Sequence, residues 1–310
     1  MTLPASTTLT PADLLAALLA ALAPAGPAAA SLVAHALVDA EVRGQSRFGL
    51  TLLAELPAAR DELAQRLRPA EPDTAASGRL DLSGRFAPTA VAAALEPARQ
   101  QAAAHGTSLV RLLAIGKFGR LAPFVAAVAQ AGAIGLLTMS SPSFVTPLGG
   151  HRAVLGTNPF AVAVPTGAEP LVVDTATSAI TAAHWHDASA GRADVPAGAL
   201  VDASGASTTD ATQAVAITPR GGLLGTSLGI AIEALTAAAT GQLSDADTAP
   251  RGGVLLVIEP TVGAAGLGDE LVRRIVDAGG YRPGRRLPWP DRLSVDRNAW
   301  THLEQLAHLA

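Results

Sequence analysis

The sequence predicts a mixed α/β body preceded by a helical portion, and two observations carry that reading. Through Glu41 the apolar residues recur at helical spacing, and from Gly78 onward short β-type runs alternate with helical ones. Thr10 as N-cap, Pro11 at the first helical position and Asp13 in the first turn start one helix, which Pro24 and Pro27 are expected to end. A second helix is expected over Ala28–Glu41, with Leu32, Val33, Ala36, Leu37 and Ala40 inward and Asp39 and Glu41 outward. The polar, proline-bearing segment Arg68–Ala76 marks a domain edge. Beyond it, SLVRLLAI, AIGLLTM, PFAVAVP, PLVVD and GVLLVIEP predict strands, while 121–132, 227–240 and 269–278 predict helices.

Composition narrows the function. Hydrophobic residues make up 49% and charged residues 15%, which suits a packed globular chain. A net charge of −4 gives no electrostatic footprint for nucleic acid. The absence of cysteine removes disulfides, thiolate nucleophiles and cysteine-ligated metals. The leucine-alanine run near the N-terminus lacks a basic segment before it, since the first Lys or Arg is Arg43, and it is shorter than a bilayer span of roughly 20 residues. No membrane association is expected, and a cytoplasmic location is.

Single motifs leave alternatives open. The stretch VLLVIEPTVGAAGLGDELVRRIV has the strand, glycine loop and helix of a pyrophosphate cradle, yet Gly263, Gly266 and Gly268 fall as G-x-x-G-x-G and no acidic strand end follows. In LVVDTATS, Asp174 either caps a helix starting near Ser178, with Thr175, Thr177 and Ser178 satisfying backbone donors, or faces a cleft where those groups hold a cofactor. PLGGHRAVLGTNPFAVAVP is a loop entering a strand, with Asn158 before Pro159 forced into an extended or turn conformation. His184 and His186 stand two apart, on different helix faces, so no metal site is expected. YRPGRR is a solvated turn or a phosphate clamp.

Taken in order, RGQSRFG, GKFG after a strand, GG....LGTNP, VVDTATS, P.GG..G.S and a late RPG form a series. From about Ala28 to the last helix that series resembles the malate/L-lactate dehydrogenase family of the second type. These are NAD(P)-dependent enzymes that include sulfolactate and ureidoglycolate dehydrogenases, diketogulonate reductase and piperideine-carboxylate reductase. The resemblance implies a mixed α+β, non-Rossmann NAD(P)-binding fold with a helical domain. It implies a helical substrate and dimerisation domain at 1–75, with 282–310 packed on it, a cofactor-binding body at 76–281, a homodimer, and NADP or NAD as cofactor.

The implied cofactor residues are Thr157 and Asn158 of the GTNP loop, Val173, Asp174, Thr175, Ala176, Thr177 and Ser178 beside the nicotinamide and ribose, and Pro283, Gly284 and Arg285 of the late turn. The substrate side departs from the family. Arg47, Phe48 and Gly49 stand where it has serine, the proton-donating histidine and glycine; Leu52 replaces the carboxylate-gripping arginine, Lys117 a second histidine, and Leu224 a lysine. A phenyl ring delivers no proton, and loss of a general acid costs about 10²–10⁴ in rate. Two readings follow. In the first, a rebuilt reductase pocket uses Lys117 and Asp174 as catalytic groups, Arg47 as the new carboxylate clamp and Phe48 as an apolar wall, and takes an imino acid more readily than a 2-oxo acid. In the second, the scaffold binds a ligand without redox turnover.

Overall fold

The computed structural model of the protein describes residues 6–54, 71–243 and 251–308. Strand β1 (Ser6–Leu9) leads into α1 (Pro11–Leu22), where the Asp13 N–H donates to Thr10 Oγ1 at 3.1 Å and the Thr10 N–H donates back to the Asp13 carboxylate at 3.3 Å. This reciprocal box satisfies two donors that a helix start leaves open. A single 3₁₀ turn, Ala23–Ala25, follows, and Pro27 is then the first residue of α2 (Pro27–Val42). Pro27 therefore begins a helix instead of ending one, because its missing N–H is harmless in a first turn.

The chain continues through α3 (Leu50–Ala54), β2 (Glu71–Thr74), β3 (Ser77–Asp81), α4 (Ala87–His105), β4 (Thr107–Ile115), α5 (Ala122–Gln130), β5 (Ile134–Met139), β6 (Phe160–Val164) and β7 (Leu171–Thr175). Then come α6 (Ala182–Ser189), the short β8 (Leu200–Val201), β9 (Ser207–Thr208) and β10 (Ala216–Ile217), α7 (Leu223–Thr240), β11 (Arg251–Ile258), α8 (Ala264–Asp277), β12 (Leu293–Asp296) and α9 (Arg297–His308). Of the polar segment 68–76, residues 68–70 lie outside the described residues, while 71–76 form β2 and its turn into β3. Helices α7 and α8 start earlier than their periodicity predicts, directly after Gly222 and Gly263, both of which have positive φ.

Among the described residues seven strands form one sheet in the order β2-β3-β4-β11-β5-β6-β7, in which β3 pairs parallel with β4 and the other pairs are antiparallel. Strand β11 runs antiparallel to both β4 and β5. The glycine loop after β11 thus leaves an antiparallel strand, which separates this fold from the parallel dinucleotide-binding sheet. Alternate residues, Val110 and Leu112, Leu137 and Met139, Ala161 and Ala163, Leu255 and Val257, enter one buried apolar cluster that also holds Leu14, Leu18, Leu37 and Leu303. The helical portion and the sheet share that core, and α9 packs on α1 and α3. A smaller cluster around Val145, Leu155, Leu200 and Ile217 lies under α6, where Trp185 packs on it.

Glu41 departs from the expected outward position. It is 6% exposed, and its carboxylate accepts from the Leu50 N–H at 2.6 Å and from Ser46 Oγ at 2.8 Å. It caps α3 and ties down the 3₁₀ turn Ser46–Phe48. Gly49 is required beside it, because a Cβ there would collide with the carboxylate. Burial pushes the Glu41 carboxyl above its ordinary 4.5, against the opposing pull of the two hydrogen bonds. The linkage has a definite sign. Below pH 4.5 Glu41 is neutral folded and unfolded; as pH rises, the unfolded chain ionises first, so stability falls until the raised folded pKa is passed. Glu41→Gln keeps an acceptor for Leu50 without the charge. Urea unfolding at stepped pH should show the variant gaining on the wild type as pH rises from 4.5. Parallel curves would contradict this role.

Candidate active site

A cavity of about 780 Å³ opens between the Ser46–Phe48 turn, the ends of β4 and β5, and the start of α6. Its lining combines Phe48, Leu52, Phe118, Met139 and Phe144 with Lys117, Arg47, Arg192 and Arg251, and Thr157 and Ala176 complete one wall. This size and this mixture of apolar walls with a few charged groups suit a small-molecule site.

An irregularity in β4 turns the chain toward the cavity. Between the pairs Leu112–Gly253 and Ile115–Arg251, β4 takes three residue steps and β11 two. The extra residue is accommodated with Ala114 at φ 54, in the left-handed region, where a non-glycine residue costs about 1–3 kcal/mol. Bulges of this kind re-aim the residues that follow, here Ile115, Gly116 and Lys117. On the far side Phe48 is half-buried, and the approach of its carbonyl to Gly119 leaves little room for a Cβ there.

The electrostatics are one-sided. Four Lys or Arg side chains and His186 line the cavity, and among the described residues no Asp or Glu does. Just behind the lining, Asp187 accepts from Arg47 Nε at 2.9 Å and from Arg192 Nη2 at 2.8 Å. Against the raising effect of burial, Arg192 and Arg47 hold the Asp187 carboxyl below its usual range. Burial, with Arg251 and Arg47 nearby, pushes the Lys117 ammonium below the usual lysine range.

The residues expected at the cofactor divide. Thr157 and Ala176 line this first cavity, together with Arg47, Phe48 and Lys117. Val173, Asp174, Pro283, Gly284 and Arg285 line a second groove of about 770 Å³ between α2, the start of α5 and the 281–289 segment. The two share a wall, with Gly119 and Leu121 on the first cavity and Arg120 and Ala122 on the second. Asp174 therefore stands apart from Lys117, and it caps no helix at Ser178. Its carboxylate accepts from the Ala122 N–H at 2.9 Å, at the start of α5, while α6 begins at Ala182 with Thr181 Oγ1 accepting from the His184 N–H at 3.0 Å. Burial pushes the Asp174 carboxyl up, opposed by that N–H and by Arg120.

Nor do the neighbouring hydroxyls satisfy backbone donors as expected. Thr175 Oγ1 donates to the Ala176 carbonyl at 3.3 Å and Thr177 Oγ1 to the Thr157 carbonyl at 3.1 Å. Ser178 Oγ is buried with no hydrogen-bond partner among the described residues. Asn158 is fully buried with φ 40, and its amide donates to the Gly229 carbonyl at 3.0 Å and to Glu233 Oε2 at 2.9 Å. It fastens the GTNP turn to α7. Among the late basic residues, the Arg285 carbonyl accepts from Arg43 at 3.1 Å and Arg282 donates to the Glu169 carbonyl at 2.7 Å. Leu224 is exposed on the first turn of α7 and lines neither cavity.

Arg192, Arg251, His186 and Phe144 are lining residues that motif reading does not find. Arg192 lies in a loop without local pattern. Arg251 had a weak signal, a lone cation directly before a buried apolar strand.

Residues 10–277 match the Malate/L-lactate dehydrogenase family model. A Delta(1)-pyrroline-2-carboxylate/Delta(1)-piperideine-2-carboxylate reductase of Pseudomonas syringae pv. tomato is 33% identical over 231 residues, 68% of this chain and 67% of that protein. A (2R)-3-sulfolactate dehydrogenase (NADP(+)) of Chromohalobacter salexigens is 33% identical over 218 residues, 69% and 66% respectively, so the matches span about two thirds of each relative. The crystal structure of a dehydrogenase from Sinorhizobium meliloti superposes with a TM-score of 0.78 at 27% identity, covering 97% of this chain and 98% of that one. The family match over most of the chain and the shared fold agree: this protein belongs to the malate/L-lactate dehydrogenase family, a group of nucleotide-dependent oxidoreductases.

Proposed function

We propose that the protein reduces a small imino carboxylate with a nicotinamide dinucleotide in the first cavity, and that it takes the corresponding 2-oxo acid less well. The observation that carries this reading is the gathering of Arg47, Phe48, Lys117, Thr157 and Ala176 around one cavity that Arg192 and Arg251 also line. Such a lining fits an anionic dinucleotide and an anionic acceptor together. The similarity to the pyrroline- and piperideine-carboxylate reductase supports the substrate class.

The bound dinucleotide, NADP or NAD, would supply the hydride. In the reaction the C=N carbon gains that hydride, the nitrogen gains a proton, and an amine results. This chain's residues do the rest. Phe48, with Leu52 and Phe118, keeps water from the reacting carbon. Lys117, held below the usual lysine range by burial and its cationic neighbours, is the proton source. An imine nitrogen can arrive already protonated, so the lack of a histidine at Phe48 matters less for it than for a carbonyl oxygen. The end of β7, with Val173 and Asp174 toward the second groove and Ala176 toward the cavity, would carry the rest of the dinucleotide past the late turn Pro283–Arg285, with Asp174 acting by positioning Ala122. Thr175, Thr177, Ser178 and Asn158 would hold the shape of that wall.

A second copy of the chain is proposed to cover the outer face of α7. This helix is long and apolar enough, by length and composition, to cross a membrane. It nevertheless packs on β11, β4 and β5, with Gly225, Gly229, Ile232, Glu233 and Thr236 buried, and leaves Leu224, Leu228 and Leu235 exposed along one stripe. A single-chain surface seldom carries so long an apolar stripe.

Loss of nicotinamide absorbance with matched imino and 2-oxo acids, offered with NADPH and NADH, tests the reaction. Imino acids should turn over faster, and Lys117→Met should lower turnover of 2-oxo acids about 10²–10⁴-fold and of imino acids less. Faster 2-oxo acids, or a variant unchanged on both, would contradict the reading; dinucleotide binding without transfer to any acceptor would support the non-redox alternative. For the dimer, sedimentation should give two copies for the wild type and one for Leu228→Glu. A monomeric wild type would refute it.

A further inference from the structure

We infer that Arg251 is the group that grips the acceptor's carboxylate, and that the acceptor carries an apolar body against Phe48, Phe118, Phe144 and Met139. This deepens the reading above and rests on its choice of cavity.

The cations around the cavity are not equivalent. Arg47 and Arg192 both bind Asp187, which draws their charge toward the rear of the wall. That geometry argues against Arg47 as the new carboxylate clamp. Lys117 is the proton source in the proposed reaction. Arg251 has no carboxylate partner among the described residues; its Nη1 reaches the Gly116 carbonyl at 3.4 Å, at the edge of hydrogen-bond range. Burial works against its charge, and a bound anion would offset that cost.

The backbone fixes where Arg251 stands. The Gly252 N–H donates to Ser140 Oγ at 3.0 Å, and the Ser140 N–H donates to the Gly252 carbonyl at 2.8 Å, which pins the start of β11 to the end of β5. A Cβ at Gly252 would run into Thr240, and one at Gly253 would run into Ile115 and the Thr138 carbonyl. The pair Arg251–Ile115 flanks the β4 irregularity, so the turn that aims Lys117 at the cavity also puts Arg251 beside it. A planar guanidinium there can meet a carboxylate with two parallel hydrogen bonds, while Lys117 stays with the reacting centre. Leu52, at the position of the family arginine, belongs to the apolar wall. The carboxylate is thus gripped from a different strand.

Calorimetry of the full-length protein with benzoylformate and with its uncharged amide, benzoylformamide, tests this without hydride transfer. Wild type should prefer the acid. Arg251→Gln should weaken the acid about 10- to 100-fold and leave the amide nearly unchanged. Arg251→Lys, which keeps the charge and loses the planar fork, should fall between and serves as the informative variant if the glutamine form does not fold. The inference is overturned if either variant binds the acid as wild type does, if acid and amide weaken together, or if wild type does not distinguish them. Selective acid binding without turnover would instead sink the reductase reading alone, and turnover without selectivity would sink Arg251 alone.

Discussion

Positive charge held in an apolar cavity is the constraint on which the rest turns. Among the described residues, four Lys and Arg side chains line that space with three phenyl rings and a methionine, and Asp187, outside the lining, binds Arg47 and Arg192. Desolvated charge of one sign is unfavourable by itself. Anions make such a cavity consistent, and both partners of the proposed reaction are anions. On the proposed reading, Phe48 and Leu52, which stand where the resemblance implies an acid and an arginine, form apolar wall in a pocket whose cations come from elsewhere in the chain.

The scaffold fixes those groups through contacts distant in sequence. Glu41 at the end of α2 ties down the Ser46–Phe48 turn and requires Gly49. The β4 irregularity, with Ala114 in the left-handed region, aims Lys117, and the Ser140–Gly252 pair holds Arg251. Asp174 caps α5 and so sets the wall between cavity and groove. Glu41, Ser140 and Asp174 are polar groups that would be costly to bury unpaired, and their hydrogen bonds make the arrangement rigid as well as specific.

How much of this the sequence discloses depends on the range of the interaction. Local periodicity suffices for α1, α2, β4, β5, β6, β7 and β11, and the order of the motifs suffices for the family. Periodicity puts Glu41 outward, because a helical wheel does not know that α3 returns against it and needs a cap. Asp174 looks like a cap for the residues just after it, yet its partner, Ala122, is brought by the sheet from 52 residues away. Ala114 carries no glycine signature for its turn, and Arg251 belongs to no motif. Arg47, Phe48, Lys117, Thr157 and Ala176 all come from the motif series and all line the first cavity, whereas Arg192 and Arg251 join them through tertiary packing that no local pattern records.

A crystal structure with a reduced nicotinamide dinucleotide bound tests the central claim most directly. The account predicts the nicotinamide ring in the first cavity, its C4 facing the space between Phe48 and Lys117. A ring lodged in the second groove beside Asp174 and Arg285, with the first cavity holding no part of the dinucleotide, would contradict it.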